Sequence, residues 1–145
     1  GGSMGYHAAV RDIDIKLKLD DLEEVMRLLK ERHENRSGNY EDYGPFGTRN
    51  AEDPVPADTF PDALGEIGWY GERDDALGEY RVYRDGTKYR EEEEVFWAAV
   101  APVVVPGSFV EFVGEDGELW RWDFRRGALI ESSGVIAWVP TTGSN

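Results

Sequence analysis

The chain has 145 residues, with 30 acidic against 16 basic side chains and a formal net charge of −14. A field of this sign repels nucleic acid and anionic membrane, so direct binding to either is not expected, and a basic protein is the favoured partner. The absence of Cys excludes disulfides and thiolate metal sites and favours the reducing cytoplasm as the compartment.

The length and the hydrophobic fraction of 40% fit one folded domain with its own core. Residues 1-3 resemble the remnant of a cleaved tag, so we expect 4-145 to form a single domain with a long loop at 35-56. No apolar run reaches the roughly 18 residues that a membrane span needs. Composition does not indicate the oligomeric state.

Strict alternation opens the folded part of the chain. Ile13, Ile15, Leu17 and Leu19 occupy every second position, which predicts a half-buried strand over 13–19. A capped helix follows, from Asp20 or Asp21 to about residue 34, with its apolar side chains at helical spacing.

The segment 35-56 has no periodicity and places Gly, Asn, Pro and acids among Tyr40, Tyr43 and Phe46. Loops of this length without secondary structure are uncommon in compact domains and are often functional, so the segment is a candidate binding element or lid. The alternative is a solvated linker whose aromatic side chains pack back on the core.

The middle of the chain predicts a short helix from Thr59, stopped by Gly68, and then two strands at 69–72 and 79–84. The run 91–94 consists of four Glu and precedes an apolar stretch, which predicts the acidic first turn of a helix that ends or kinks at Pro102. We interpret this acidic run as structural.

The last third predicts strands at 108–113, 118–124, 128–131 and 134–139, separated by turns that contain Gly. If Gly117 takes the left-handed position of a three-residue loop, Glu111 lies opposite Arg121. The tryptophans at 120 and 122 then share the apolar face with Val110, Phe112 and Phe124, and no unpaired carboxylate is buried. The complete pattern predicts an α+β fold: a mainly antiparallel sheet with a C-terminal β-meander, packed against two or three helices.

Catalytic motifs are weak. Glu111 and Asp123 share a predicted strand face and could act as a carboxylate pair, although Arg121 beside them supplies a structural reason for both charges. Neither nucleophile elbow nor nucleotide-binding glycine pattern is present, and the two His occur without a catalytic setting. We therefore predict no catalytic residue, no metal site and no cofactor, and a binding protein is favoured over an enzyme.

Several segments carry a family resemblance: Met4-Gly5-Tyr6, the acidic helix through Val95-Phe96 to Ala101-Pro102, Gly107-Ser108-Phe109, Gly114-Glu115-Asp116-Gly117 and Trp120-Arg121-Trp122-Asp123-Phe124. Together they resemble small uncharacterised proteins of actinobacterial phages and actinomycetes. The resemblance implies a phage or prophage accessory protein in the host cytoplasm and brings no activity with it.

The expected function is non-enzymatic binding of a basic host or phage protein through an acidic surface, as an inhibitor or a nucleic-acid mimic. The alternatives are a small hydrolase or transferase that uses carboxylates, and a small-ligand binder with 35-56 as its lid. The acids without a structural explanation, together with the loop aromatics, form the predicted partner-binding set: Tyr40, Glu41, Asp42, Tyr43, Phe46, Glu52, Asp53, Glu72, Asp74 and Asp75.

Overall fold

The structure, a computed structural model, describes residues 6–37, 57–86 and 88–141. Of the predicted loop, 38–56 lies outside the described residues, and 35–37 belongs to the first helix. That helix continues three residues beyond its predicted end near residue 34, because the first Gly or Pro after its start is Gly38.

Seven strands and three helices lie in the described part of the chain. The helices are α1 (Leu22–Ser37), α2 (Phe60–Glu66) and α3 (Glu91–Val100), and short 3₁₀ turns precede α1 and α2 and follow α3. The strands are β1 (Tyr6–Lys18), β2 (Trp69–Asp74), β3 (Glu79–Arg84), β4 (Lys88–Tyr89), β5 (Phe109–Gly114), β6 (Leu119–Arg125) and β7 (Ala128–Gly134).

All strand pairs are antiparallel, and the order across the sheet is β2-β3-β1-β5-β6-β7, with β4 paired to the start of β1. The predicted α+β class is confirmed, and β5, β6 and β7 form the predicted C-terminal meander. Strands β2 and β7 are therefore the two edges of the sheet, which matters for β7 below.

Strand β1 is nearly twice as long as the predicted strand over 13–19. The prediction missed its first half because a bulge there interrupts the alternation of inward and outward side chains. The pairing with β5 shifts register between Val10 and Asp12, so Arg11 is an extra residue. Ala8 and Ile15 both point into the core although they differ in parity. A bulge changes which positions face inward, and for this reason the sequence of 6–12 lacks the alternation that predicts a strand.

One face of the sheet carries the core and the helices, and the other is open. On the inner face, alternate residues such as Leu17, Val82, Phe112 and Trp122 are buried against α1, α2 and α3. The open face presents charged and polar side chains, as antiparallel sheets with one solvated side commonly do.

The hairpin between β5 and β6 has the predicted register. Glu111 pairs with Arg121, Gly117 has a φ of 88°, and Gly114 and Glu118 close the loop with a backbone hydrogen bond of 2.7 Å. Trp122 is fully buried on the inner face. Local turn chemistry was therefore sufficient to place this pair.

The predicted strand over 134–139 is wrong. Strand β7 runs without interruption through 128–134, and the chain then leaves the sheet, so that Val135 to Thr141 has no strand pairing. The sequence pattern is strand-like, but this segment follows β7 directly with no turn between them, so it does not fold back onto the β7 edge. Among the described residues, no helix is long and apolar enough to cross a membrane.

Candidate functional site

The predicted partner-binding set is described only in part. Glu72 is exposed on the edge strand β2. Asp74 accepts a hydrogen bond of 3.1 Å from the Leu77 amide and so closes the β2–β3 turn, and Asp75 forms an ion pair of 2.7 Å with Arg73. The remaining members lie outside the described residues: Tyr40, Glu41, Asp42, Tyr43, Phe46, Glu52 and Asp53.

The carboxylates of Glu111 and Asp123 are both bound by Arg121. The guanidinium donates to Glu111 through one terminal nitrogen, and its Nε lies 3.0 Å from both oxygens of Asp123. Arg121 also lies over the Phe109 ring, with its central carbon 4.2 Å from the ring centroid. Each charge thus has a partner within the sheet, which supports the structural interpretation of this pair.

A different group of acids lines a cleft of about 260 Å³ on the helix side of the sheet, between α3 and strand β7. We call it the acidic aromatic cleft. Five elements contribute to it, namely β1, β4, α3, β7 and the β5–β6 hairpin. Its lining residues are Tyr6, Tyr89, Glu94, Glu118, Trp120, Glu131 and Ser133.

Aromatic rings form the walls of the acidic aromatic cleft. Tyr89 meets Trp120 edge to face, with centroids 5.1 Å apart, and Trp120 stacks on Phe112 at 5.1 Å and 16°. Tyr6 lies on the other side of Trp120, at 6.2 Å between centroids. Aromatic pairs of this kind contribute about 0.5 to 1.5 kcal/mol each beyond their area burial, so these contacts favour the arrangement of the walls.

Buried charge lies behind these walls. Arg84 and Glu93 form an ion pair of 2.6 Å in which each side chain is 1% exposed. The Arg84 guanidinium lies 5.9 Å from the Tyr89 ring centroid and 5.7 Å from that of Phe112, while Glu93 also accepts a bond of 2.7 Å from Trp69 Nε1. This fully bonded pair supports Tyr89 from behind.

Three carboxylates surround the opening of the cleft. Glu94 is half-buried, and its pKa is raised by desolvation and by the nearby charges of Glu131 and Glu91. Glu131 accepts a hydrogen bond of 2.9 Å from Trp122 Nε1, which leaves its second oxygen outside that bond. In the described part of the chain, no Lys or Arg forms an ion pair with Glu94, Glu118 or Glu131.

The pKa values of the two phenols of the cleft, Tyr6 and Tyr89, are also shifted. Burial raises the pKa of Tyr89 well above its usual range, and the charges of Glu94 and Glu131 add to this effect. A hydrogen bond to Asp116 is the largest cause that raises the pKa of Tyr6 to about 12. The same bond lowers the pKa of Asp116. Both phenols therefore stay neutral at neutral pH and act as polar ring walls.

The geometry suits an organic cation. Carboxylates at the rim supply charge, and the faces of Tyr and Trp attract a guanidinium or ammonium through their ring quadrupoles. The described residues include no group of three or more His, Cys, Asp or Glu placed to hold a metal ion.

Sequence reasoning missed this site because its members are scattered. Glu94 was assigned to an acidic first turn and Trp120 to the core, and both assignments hold locally. Tyr6, Glu118 and Glu131 offered no sequence signal beyond their residue type, since only the assembled sheet brings them together. Comparison with models of protein families, with curated proteins and with solved structures gives no match.

Proposed function

We propose that this protein is a non-enzymatic binding module for a basic protein, and that the acidic aromatic cleft receives a Lys or Arg side chain of that partner. The observation that carries the proposal is the combination of three carboxylates with packed Tyr and Trp walls in one cleft. The acids lack a cation from the described part of their own chain, so an external cation would supply the missing charge.

The charge of the whole chain supports the same partner. A net charge of −14 steers a basic surface toward the protein and raises its association rate. Glu72 is exposed on edge strand β2 and adds to this field, and the acids of 41–53, which lie outside the described residues, contribute to it by their charge. The cleft then provides specificity, and the other acids provide steering.

The biological setting that we propose is that of a phage or prophage accessory protein, in line with the family resemblance. An acidic protein of this kind acts either by covering the nucleic-acid site of a basic host protein or by inhibiting a basic phage or host enzyme. Both modes need the same contact, a basic side chain in an acidic pocket, so one experiment tests their common basis.

Binding of a blocked tetra-arginine peptide, measured by isothermal titration calorimetry, is the direct test. We expect Glu94→Gln and Glu131→Gln each to weaken binding about fivefold, because a partly exposed ion pair contributes about 1 kcal/mol. Glu23→Gln, an exposed acid on α1 with the same change in charge, should leave binding nearly unchanged.

The partner itself can be sought by pull-down from host lysate at low and moderate salt, with the Glu94→Gln protein as control. A captured basic protein should be lost at higher salt, because exposed charges are screened beyond about 8 Å at physiological ionic strength. If Glu72→Gln reduces peptide binding while Glu94→Gln does not, the contact lies on the β2 edge and the cleft is not the site.

A further inference from the structure

The segment that follows β7 is unusual in this acidic protein, because it is apolar and exposed. Val135 is 89% exposed and Trp138 is 92% exposed, and Ile136 and Val139 are also open to solvent. We call Val135 to Thr141 the C-terminal tail. Exposed clusters of large apolar side chains mark interaction sites more often than they occur by accident.

The tail directly follows an edge strand. Among the described residues, strand β7 lies at the end of the sheet and pairs only with β6. Its outer side therefore offers unpaired backbone N–H and C=O groups, which is a template for another strand. An antiparallel partner could pair with β7 and the tail as one continuous segment.

Charge indicates which partner fits. From Gly127 to the end of the given sequence, Glu131 is the only ionisable side chain, in a chain whose net charge is −14. The carboxylate of Glu131 is bound by Trp122 Nε1 on the inner face of the sheet. Apart from Glu131, a basic protein would find no acid to pair with along this edge, and a second copy of this chain would meet no other like charge there.

We propose that two copies of this chain associate through their β7 edges and C-terminal tails, in antiparallel pairing across a two-fold axis. An interface between identical patches closes on itself and so gives a dimer rather than a fibre. A specific interface buries at least about 1,000 Å², which requires both edges and both tails together.

Apolar side chains select the register. Ile130 lies opposite Asp123 and therefore on the open face, where it is 38% exposed. Alternation along an extended tail would place Ile136 and Trp138 on the same face. A two-fold axis at Gly134, midway between Ile130 and Trp138, would set Trp138 of the second copy beside Ile130.

The same register fills a depression in the sheet surface. A cavity of about 210 Å³ lies beside β7, with Leu119, Arg121 and Ser132 among its lining residues. Ser132 is opposite Arg121 in the sheet, and the proposed register places Ile136 of the second copy opposite Ser132. That side chain would enter the cavity and cover Leu119.

Sedimentation velocity over a wide concentration range tests the proposal. We expect a reversible monomer–dimer equilibrium in which Trp138→Ser weakens dimerisation at least tenfold. Tyr70→Ser, an exposed aromatic on the opposite edge strand, is the matched control and should leave the equilibrium unchanged. Because Trp138 packs on little in the monomer, the unfolding midpoint of Trp138→Ser at low protein concentration should equal that of wild type.

Salt provides an independent readout. Two copies that both carry −14 repel each other, so the dimer should strengthen as salt screens this repulsion. Binding of a basic partner at the acidic aromatic cleft should weaken with salt, so the two interactions are distinguishable. A dimer that dissociates with added salt would contradict the proposed neutral interface.

Crosslinking tests the register. The chain has no Cys, so the double variant Ser132→Cys, Ile136→Cys should form a disulfide-linked dimer on mild oxidation. Positions four apart in an extended strand are about 13 Å from each other and cannot bridge within one chain. Monomer at all concentrations, no crosslink, or a tail that captures a different protein without dimerising would overturn the proposal.

Discussion

The Nε of Arg84 on β3 lies 2.6 Å from Oε1 of Glu93 on α3, in an ion pair that is almost completely withdrawn from solvent. All three guanidinium nitrogens of Arg84 and both carboxylate oxygens of Glu93 form hydrogen bonds. Arg84 also donates to the carbonyls of Ala8, Gly86 and Lys88. The pair therefore joins α3 to strands β1, β3 and β4, and it holds Tyr89 of the acidic aromatic cleft in place.

Removing one half of this pair should be costly. We expect Glu93→Gln to lower the free energy of unfolding by about 3 to 5 kcal/mol, because the Arg84 charge would remain buried without its counterion. Urea unfolding followed by Trp fluorescence measures the loss. Glu92→Gln, one position earlier and exposed, should change stability by less than about 0.5 kcal/mol. An equal loss of unfolding free energy in the two variants would show that the buried ion pair contributes no more to stability than an exposed acid does.

Replacing Gly71 or Gly65 by Ala should change the free energy of unfolding in opposite directions. A Cβ at Gly71 would lie 2.8 Å from the Arg81 carbonyl oxygen and would overlap the Tyr80 ring, so Gly71→Ala should cost about 1 to 3 kcal/mol. A Cβ at Gly65 of α2 meets nothing within 4 Å, so Gly65→Ala should stabilise by about 0.4 to 1 kcal/mol. Chemical denaturation of both variants gives the comparison, and the same sign for both would be inconsistent with this packing.

Cation binding at the acidic aromatic cleft should depend on pH. The pKa of Glu94 is raised by desolvation. This carboxylate is therefore neutralised at a higher pH than an ordinary Glu, whose pKa is about 4.3. Affinity for tetra-arginine should fall as pH drops through the raised pKa, and Glu94→Gln should remove that part of the pH dependence. Calorimetric titrations between about pH 4 and pH 7 measure it, and identical profiles for the two proteins would argue against Glu94 as a contact.

Alkali should break the Tyr6–Asp116 bond. The pKa of Tyr6 is raised to about 12 in the folded protein, above the usual value of about 10. The stability that this bond contributes is complete below the usual value and is lost as pH rises through the folded one. The thermal midpoint of wild type should therefore fall toward that of Tyr6→Phe over this range. A constant difference between the two would exclude the linkage.

The phenol of Tyr6 also depends on Gly114. A Cβ at Gly114 would overlap the Tyr6 ring, so Gly114→Ala should displace the phenol from Asp116 and open one wall of the acidic aromatic cleft. We expect weaker tetra-arginine binding with a Tyr6 pKa nearer to 10. The ultraviolet absorbance of tyrosinate measures that pKa, and a value unchanged from wild type would mean that Tyr6 keeps its position.

Local pattern was sufficient for much of the fold. Alternation at Ile15 and Leu17 predicted a half-buried strand, and both side chains are buried. The position of Gly117 predicted the hairpin register that sets Glu111 opposite Arg121. These predictions succeed because turn geometry and the two-residue period of a strand involve only neighbouring residues.

The candidate site was beyond such reasoning. Glu93 and Glu94 are adjacent members of one acidic run, yet Glu93 is buried against Arg84 and Glu94 faces the cleft. Their roles differ because the packing of Phe96 and Trp97 sets the rotation of α3. A helix turns by about 100° per residue, so neighbouring side chains of identical type reach different surroundings.

Composition, strand alternation and turn residues by themselves determined an acidic α+β chain with a C-terminal meander. Only the tertiary structure decided that one acid of the 91–94 run, Glu93, forms a buried ion pair and that the next, Glu94, lines the acidic aromatic cleft. It also decided that the strand-like tail after β7 lies outside the sheet. Both decisions depend on contacts between residues distant in sequence, and these exist only once the sheet has formed.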